Sequence, residues 1–310
     1  MPDLLTRRNL LGLAAGVLVQ AKQATFSTEV KVVNVFATLH DKQGQIIRDL
    51  NKDDFEIRED GKQQTIRYFS RESDLPLTVA LLVDSSLSQT KVLEDERGAS
   101  YRFLDQVLRQ KQDQAAVVQF DQAVVIRQDL TSSHKDLQDT LGLIDSPDMK
   151  MPGAQGGTLL YDTVRQASIK LMRARQGRKA FVVLTDGVDV GSTISLNEAV
   201  ESAQRANTIV YCILFSDESY YGGGFGIGRN PGKGVLQSLS RETGGGFFAV
   251  RPSQGIEAIF KTIEEELRSE YSIGFVSDQP VKHSGFRTLK VTTKRKDLII
   301  QATNRYYAET

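Results

Sequence analysis

Leu75-Pro76-Leu77-Thr78-Val79-Ala80-Leu81-Leu82-Val83-Asp84-Ser85-Ser86-Leu87-Ser88 decides how the rest of the chain reads. Residues 77–83 are apolar on both alternating sets of positions. Such a strand is covered on both faces, as a central parallel strand lying between two layers of helices is. Asp84, Ser86 and Ser88 leave its end at i, i+2 and i+4, so one carboxylate and two hydroxyls emerge together. Two later stretches carry matching chemistry: Thr158 after Gly156 and Gly157, and Asp186 within Leu184-Thr185-Asp186-Gly187. Small hard-oxygen side chains of this kind, gathered by a fold, describe a divalent-cation site with oxygen ligands.

Outward from this strand the pattern alternates. Residues 92–108 have helical spacing, with Tyr101, Leu104, Val107 and Leu108 on one stripe. Residues 115–120 read as a second strand and 123–127 as an antiparallel edge strand. A short helix at 137–144 leads into a loop with Pro147 and Pro152. Further helices are expected at 159–173, 196–206, 232–242 and 256–268, and further strands at 181–184, 208–215 and 247–250. Regular alternation of this kind predicts an α/β fold with an open, doubly wound, mostly parallel sheet. Ligands in such sheets collect outside the carboxyl ends of the strands, where strand order reverses. Asp84, Thr158 and Asp186 all fall on segments that can meet at that edge.

Both flanks have the period of strands instead. Residues 26–70 hold short β-forming runs separated by the turn signals 41–44 and 59–62. Residues 271–276, 286–292 and 298–302 repeat the pattern. Each flank alone offers few strands and a thin core. The expected organisation is therefore an N-terminal β module (25–73), an α/β domain (75–268) and a C-terminal β segment (270–310). The two β parts are expected to pack together as one sandwich-like domain with the α/β domain inserted.

Residues 1–24 read as an address. Arg7 and Arg8 precede an apolar run at 10–19, and small residues follow at 19–21. The run is too short to span a bilayer and fits an export signal. It is similar to a twin-arginine signal, which implies a bacterial protein exported already folded to the periplasm or outside. An uncleaved anchor is the alternative, and only then is a membrane contact expected.

Composition removes several classes. The 310 residues carry 39 Lys plus Arg against 39 Asp plus Glu, so no overall field concentrates nucleic acid. The single cysteine, Cys212, lies in an apolar run and allows no internal disulfide. His40, His134 and His283 share no metal-ligand spacing, which disfavours zinc and histidine-based catalysis. Residues 219–234, rich in Gly and Tyr, suggest a nucleotide loop at first sight. Pro231 interrupts the required helix start, and no hydroxyl residue follows Lys233, so no nucleotide is expected. A surface loop able to contact a partner fits better.

Each motif has an ordinary reading when taken alone. A serine-rich loop after a strand often caps a helix, Thr after two glycines often does the same, and Thr-Asp-Gly is a common turn. Together, in this order and at strand–helix junctions of one α/β domain, they resemble the metal-ion-dependent adhesion site of von Willebrand factor type A domains. The flanking run at 50–62, the trailing strands and the export signal resemble bacterial proteins related to that family, common among acidobacteria. The resemblance implies Asp84, Ser86, Ser88, Thr158 and Asp186 as the metal residues. Ser86 and Ser88 would bind directly, Thr158 directly or through water, and Asp84 and Asp186 mainly through water and hydrogen bonds.

Magnesium is the implied ion, with manganese or calcium as alternatives. An open coordination position would take an acidic side chain from another protein. The reading is thus a non-enzymatic protein-binding module of the adhesion or complex-assembly type. Two alternatives stay open: a magnesium-dependent phosphoryl-transfer enzyme using Asp84, and a structural envelope protein with a vestigial site.

Overall fold

A computed structural model of the chain describes residues 32–71, 75–90, 93–109, 111–146, 156–215, 232–251, 254–279 and 284–309. The export signal expected at 1–24 lies outside these residues, as do the proline loop at 147–155 and most of the Gly/Tyr stretch.

The central element is β5 (Leu77–Asp84), buried at every position. Its alternate side chains enter two different cores. Leu77, Val79, Leu81 and Val83 pack with α1 (Leu93–Val107), α2 (His134–Gly142) and α6 (Ile256–Arg268). Ala80 and Leu82 pack on the other side with α3 (Leu160–Ala167), α4 (Leu196–Arg205) and α5 (Gly232–Thr243). Two helical layers therefore cover one sheet, as the doubly apolar run required. A stacked ring pair, Phe103 and Phe260 at 4.6 Å, joins α1 to α6 within the first layer.

The remaining strands of this sheet are β6 (Gln114–Phe120), β7 (Val124–Thr131), β8 (Arg178–Thr185), β9 (Ile209–Leu214) and β10 (Phe247–Ala249). Their order is β10-β9-β8-β5-β6-β7, parallel except for the antiparallel edge strand β7. Strand order reverses between β5 and β8. Cys212 lies fully buried in β9, where burial pushes its thiol up.

Two local readings change. The helix expected over 159–173 is α3 followed by a wider π turn, Ser168–Met172, in which the Arg173 amide reaches back to the Ser168 carbonyl at 2.9 Å. The strand expected over 181–184 begins earlier, because β8 includes Arg178 and Lys179. Their stems lie in the interior while their heads reach backbone oxygens: Arg178 Nη2 to Leu75 at 3.1 Å and Lys179 Nζ to Arg175 at 3.0 Å.

Strands from both ends of the described chain form two four-stranded sheets. One has the order β13-β1-β11-β4, from β13 (Ile299–Ala302), β1 (Val32–His40), β11 (Tyr271–Val276) and β4 (Ile66–Ser70). The other has the order β14-β12-β2-β3, from β14 (Arg305–Ala308), β12 (Gly285–Thr293), β2 (Phe55–Glu59) and β3 (Lys62–Gln64). They share a core of Val35, Leu39, Ile57, Ile273, Phe275 and Leu289. Fully buried Glu59 of β2 ties them further by accepting from Ser277, just after β11, at 2.6 Å, and pairs with Arg287 of the adjacent β12 at 2.9 Å. This β sandwich meets the α/β unit where His40 of β1 approaches Glu266 of α6 at 3.2 Å. Nearby, Arg48 donates to Ser269 at 2.7 Å.

Candidate metal centre

β5 and β8 are neighbours at the point of reversal, so the loops after Asp84 and Thr185 leave the same edge side by side. Asp84 is fully buried and its two carboxylate oxygens are both engaged. Oδ1 accepts from the Ser86 amide at 2.9 Å, and Oδ2 accepts from the Thr185 hydroxyl at 2.5 Å. The first bond folds the loop so that Ser86 and Ser88 face each other, with Oγ atoms 3.2 Å apart. The Ser88 hydroxyl then donates to Asp186 Oδ2 at 2.7 Å, while Asp186 Oδ1 accepts from the Val188 amide at 2.9 Å. Asp84, Ser86, Ser88 and Asp186 thus form one hydrogen-bonded set.

Backbone shape fixes the second loop. Gly187 has φ +80°, and a Cβ there would sit 2.6 Å from the Gly232 carbonyl oxygen. Gly232, the first residue of α5, leaves even less room, with the Asp186 carbonyl oxygen 2.1 Å from a built Cβ. Only paired glycines let α5 begin against the Asp186 loop.

Thr158 reaches the same edge by a different route from the helix start expected for it. It forms an isolated bridge with Val190, its amide donating to the Val190 carbonyl at 3.0 Å and its carbonyl accepting from the Val190 amide at 2.9 Å. The Leu159 amide bonds the Asp121 carbonyl at 2.9 Å, and α3 begins only at Leu160. Thr158 is therefore held between the turn after β6 and the segment after Asp186. The residue at the helix N-cap position is Leu159, so Thr158 lies one residue ahead of it and does not cap α3.

A supporting layer runs from β6. Gln119 donates to the Ser85 hydroxyl at 2.8 Å and accepts from Arg127 at 2.8 Å, and Ser85 donates to Asp121 at 3.0 Å. Two residues in this region were not singled out from the sequence. Thr185 was quoted only as part of a turn, although its hydroxyl is what locks Asp84. Glu96, on the inner face of α1, is fully buried, and a polarity pattern gives no sign of it.

Charge crowds this edge. Burial pushes the Asp84 carboxyl up to about 7, against opposing hydrogen bonds from Ser86 and Thr185 and with Asp186 adding to the rise. Burial, and then the Asp84 charge, hold Glu96 well above the usual carboxylate range. A bound cation relieves such crowding.

The donors fit a hard divalent ion. Cis ligands about 2.1 Å from an octahedral magnesium lie about 3.0 Å apart, close to the 3.2 Å between Ser86 and Ser88. Among the described residues no cluster of three or more His, Cys, Asp or Glu side chains could hold a metal. What this edge offers is hydroxyl and carboxylate oxygen, suited to magnesium, manganese or calcium rather than to softer ions.

The structure defines a doubly wound α/β domain of the open-sheet class, with hydroxyl and carboxylate oxygens gathered at its strand-order reversal. The chain belongs to the von Willebrand factor type A domain family, whose model matches residues 78–262. Members generally act as non-enzymatic adhesion or assembly modules, commonly join proteins, and typically hold a divalent metal.

Among solved structures, a von Willebrand factor type A protein from Catenulispora acidiphila is 12% identical, with 82% of this chain and 73% of that chain covered and a TM-score of 0.51. An aerotolerance-related membrane protein from Bacteroides fragilis is 18% identical, covering 62% of this chain and 98% of that chain, with a TM-score of 0.46. Proximal thread matrix protein 1 from the mussel byssus, solved with a zinc-occupied MIDAS motif, is 16% identical, covering 69% and 50%, with a TM-score of 0.49. At these identities the likeness is one of fold. No curated protein sequence matches the chain. Among the described residues no helix is long and apolar enough to cross a membrane.

Proposed function

We propose that the protein is an exported, metal-dependent protein-binding module. Asp84, Ser86, Ser88, Thr158 and Asp186 hold a divalent cation, magnesium first, and an acidic side chain of a partner completes its coordination. The observation that carries this reading is the hydrogen-bonded set joining Asp84, Ser86, Ser88 and Asp186 across two adjacent strand ends. When bound, the ion supplies a strongly electrophilic centre for a carboxylate. The protein's own residues keep hydroxyls on one side and carboxylates hydrogen-bonded behind them, which leaves the ion's charge incompletely neutralised. The Arg7-Arg8 run ahead of the apolar stretch 10–19 supports export.

Asp84 is poorly suited to be a phosphoryl-accepting nucleophile, because it is fully buried and both oxygens already accept hydrogen bonds. Calorimetric titration with magnesium, manganese and calcium tests the proposal. Uptake of at least one ion, lost in Asp186→Ala, is expected, together with partner capture from the native envelope that a chelator abolishes. Absence of binding for all three ions would overturn it.

A further inference from the structure

Helix α3 begins two residues after Thr158, and it begins without a cap of its own. Leu159, at the N-cap position, has no side chain that can accept from the first amides of the helix. Those amides are met instead by the segment that follows Asp186. The Tyr161 amide donates to Asp189 Oδ1 at 3.0 Å, and the Asp162 amide donates to Ser192 Oγ at 3.1 Å. The Asp162 carboxylate, buried in the first turn, returns the contact. Its Oδ2 accepts from the Thr193 amide at 2.8 Å and its Oδ1 from the Thr193 hydroxyl at 2.9 Å. Ser192 closes the ring by donating to Asp189 Oδ1 at 2.6 Å.

These bonds join two stretches that belong to different loops of the cation edge. Residues 158–162 and 189–193 form one clip, with the two-way Thr158–Val190 bridge at one end and the Asp162–Thr193 pair at the other. Asp186, three residues ahead of Asp189, is held on its other side by the Ser88 hydroxyl at 2.7 Å. A helix start needs only that its amides be satisfied, which a serine or aspartate in place of Leu159 would achieve. Capping from the other loop does more. It fixes where α3 starts relative to the Asp186 segment, and with it where Thr158 stands.

Resting on the metal reading above, we propose that Asp162 is a positioning residue of the cation site: through Thr193, and with Asp189 and Ser192, it holds Thr158 where the threonine oxygen completes the coordination. Both Asp162 oxygens are engaged by Thr193, so the residue acts on the ion only through Thr158. Magnesium demands near-octahedral ligands at about 2.0–2.1 Å, whereas calcium accepts six to eight oxygens at about 2.3–2.6 Å in flexible geometry. A Thr158 loop released from the clip therefore weakens magnesium binding more than calcium binding. The clip sets which ion the edge prefers.

The test is made in the full chain. Wild type, Asp162→Ala, Asp162→Asn, Thr158→Ala and the double variant Thr158→Ala with Asp162→Ala are titrated with Mg2+ and with Ca2+ by calorimetry. Circular dichroism and melting in chelator accompany each. Asp162→Ala is expected to keep the wild-type fold in chelator, to bind Mg2+ about 10–100-fold more weakly, and to lose less affinity for Ca2+. Asp162→Asn keeps the shape and an oxygen for Thr193, and is expected to bind closer to wild type. In the Thr158→Ala background, Asp162→Ala is expected to cost no further Mg2+ affinity, because the residue it places is gone.

Unchanged Mg2+ affinity in Asp162→Ala overturns the inference. Equal losses for the two ions, or losses that add in full in the double variant, also overturn it, since each leaves Asp162 a helix cap and no more. If Asp162→Ala does not fold, Thr193→Val, which removes only the hydroxyl bond, takes its place, and an unchanged preference between the ions there overturns the inference. A wild type that binds neither ion is a different result: it removes the metal reading itself, and this inference with it.

Discussion

Ser88 and Asp186, 98 residues apart in the chain, are joined by a 2.7 Å hydrogen bond across the point where strand order reverses. This bond brings the first loop of the α/β domain to the second and sets the distance over which an ion can be shared. Ser88→Ala leaves Asp186 Oδ2 without that donor. It is expected to lower stability by about 1–2 kcal/mol and to weaken divalent-cation binding at least about tenfold. Calorimetric titration alongside thermal melting in chelator checks both effects, and unchanged ion affinity would count against the site.

Site and core should separate in a second pair of variants. Val83 is 2% exposed in the middle of the sheet, whereas Ser86 lies just beyond the strand end. Val83→Asp buries an unpaired charge and is expected to unfold the α/β domain. Ser86→Ala should cost about 1 kcal/mol while reducing ion uptake. Equal shifts in melting temperature for the two would refute the distinction.

The sandwich has its own weak point. Arg287 and Glu59 form an ion pair at 2.9 Å with side chains 12% and 0% exposed. Removing either partner leaves the other's charge buried, and each alanine variant is expected to cost about 3–5 kcal/mol. The double variant should cost less than the two singles combined, because no uncompensated charge remains. Urea denaturation of all four proteins measures the coupling, and strict additivity would contradict it.

Glu270, buried where α6 passes into β11, gives a pH dependence. Burial pushes its carboxyl from 4.5 up to about 8, with Arg178 opposing the rise and Glu266 adding to it. Between those values the unfolded chain has lost the proton and the folded chain keeps it. Stability therefore falls as pH rises through this window, by an amount on the order of a few kcal/mol. Glu270→Gln should flatten the fall. Urea midpoints at pH 5, 6.5 and 8 for both proteins provide the check, and parallel profiles would show that Glu270 does not titrate there.

Gly187→Ala probes the geometry behind the site. The positive φ and the Gly232 carbonyl oxygen 2.6 Å from a built Cβ leave no strain-free solution. A loss of at least about 1–2 kcal/mol is expected, with weaker ion binding as α5 is pushed from Asp186. A melting temperature equal to wild type would mean that the two loops have room to give.

Much of the fold was legible because its signals are local. The doubly apolar run 77–83 could be satisfied only between two layers, and helix α6 and strand β11 fall where periodicity placed them. Errors came where long-range contacts overrule local preference. The strand expected over 181–184 stops short of Arg178 and Lys179, yet distant or neighbouring carbonyls receive their heads and let them enter β8. The π turn after α3 and strand β14 left no pattern strong enough to read. Thr158 was read as a helix start because Gly-Gly-Thr usually is one, whereas its partner is Val190 on another loop.

By itself the sequence determined the chemistry available at the strand ends: hard oxygens, in order, on segments that an alternating α/β chain must deliver to one edge. Side-chain type and periodicity are properties of the chain, so no fold is needed to read them. Only the tertiary structure decided which oxygens meet, that Thr185 locks Asp84, and that Glu96 lies buried in α1 without a hydrogen bond. Those facts depend on distances between residues remote in sequence, which packing sets and spacing alone does not record.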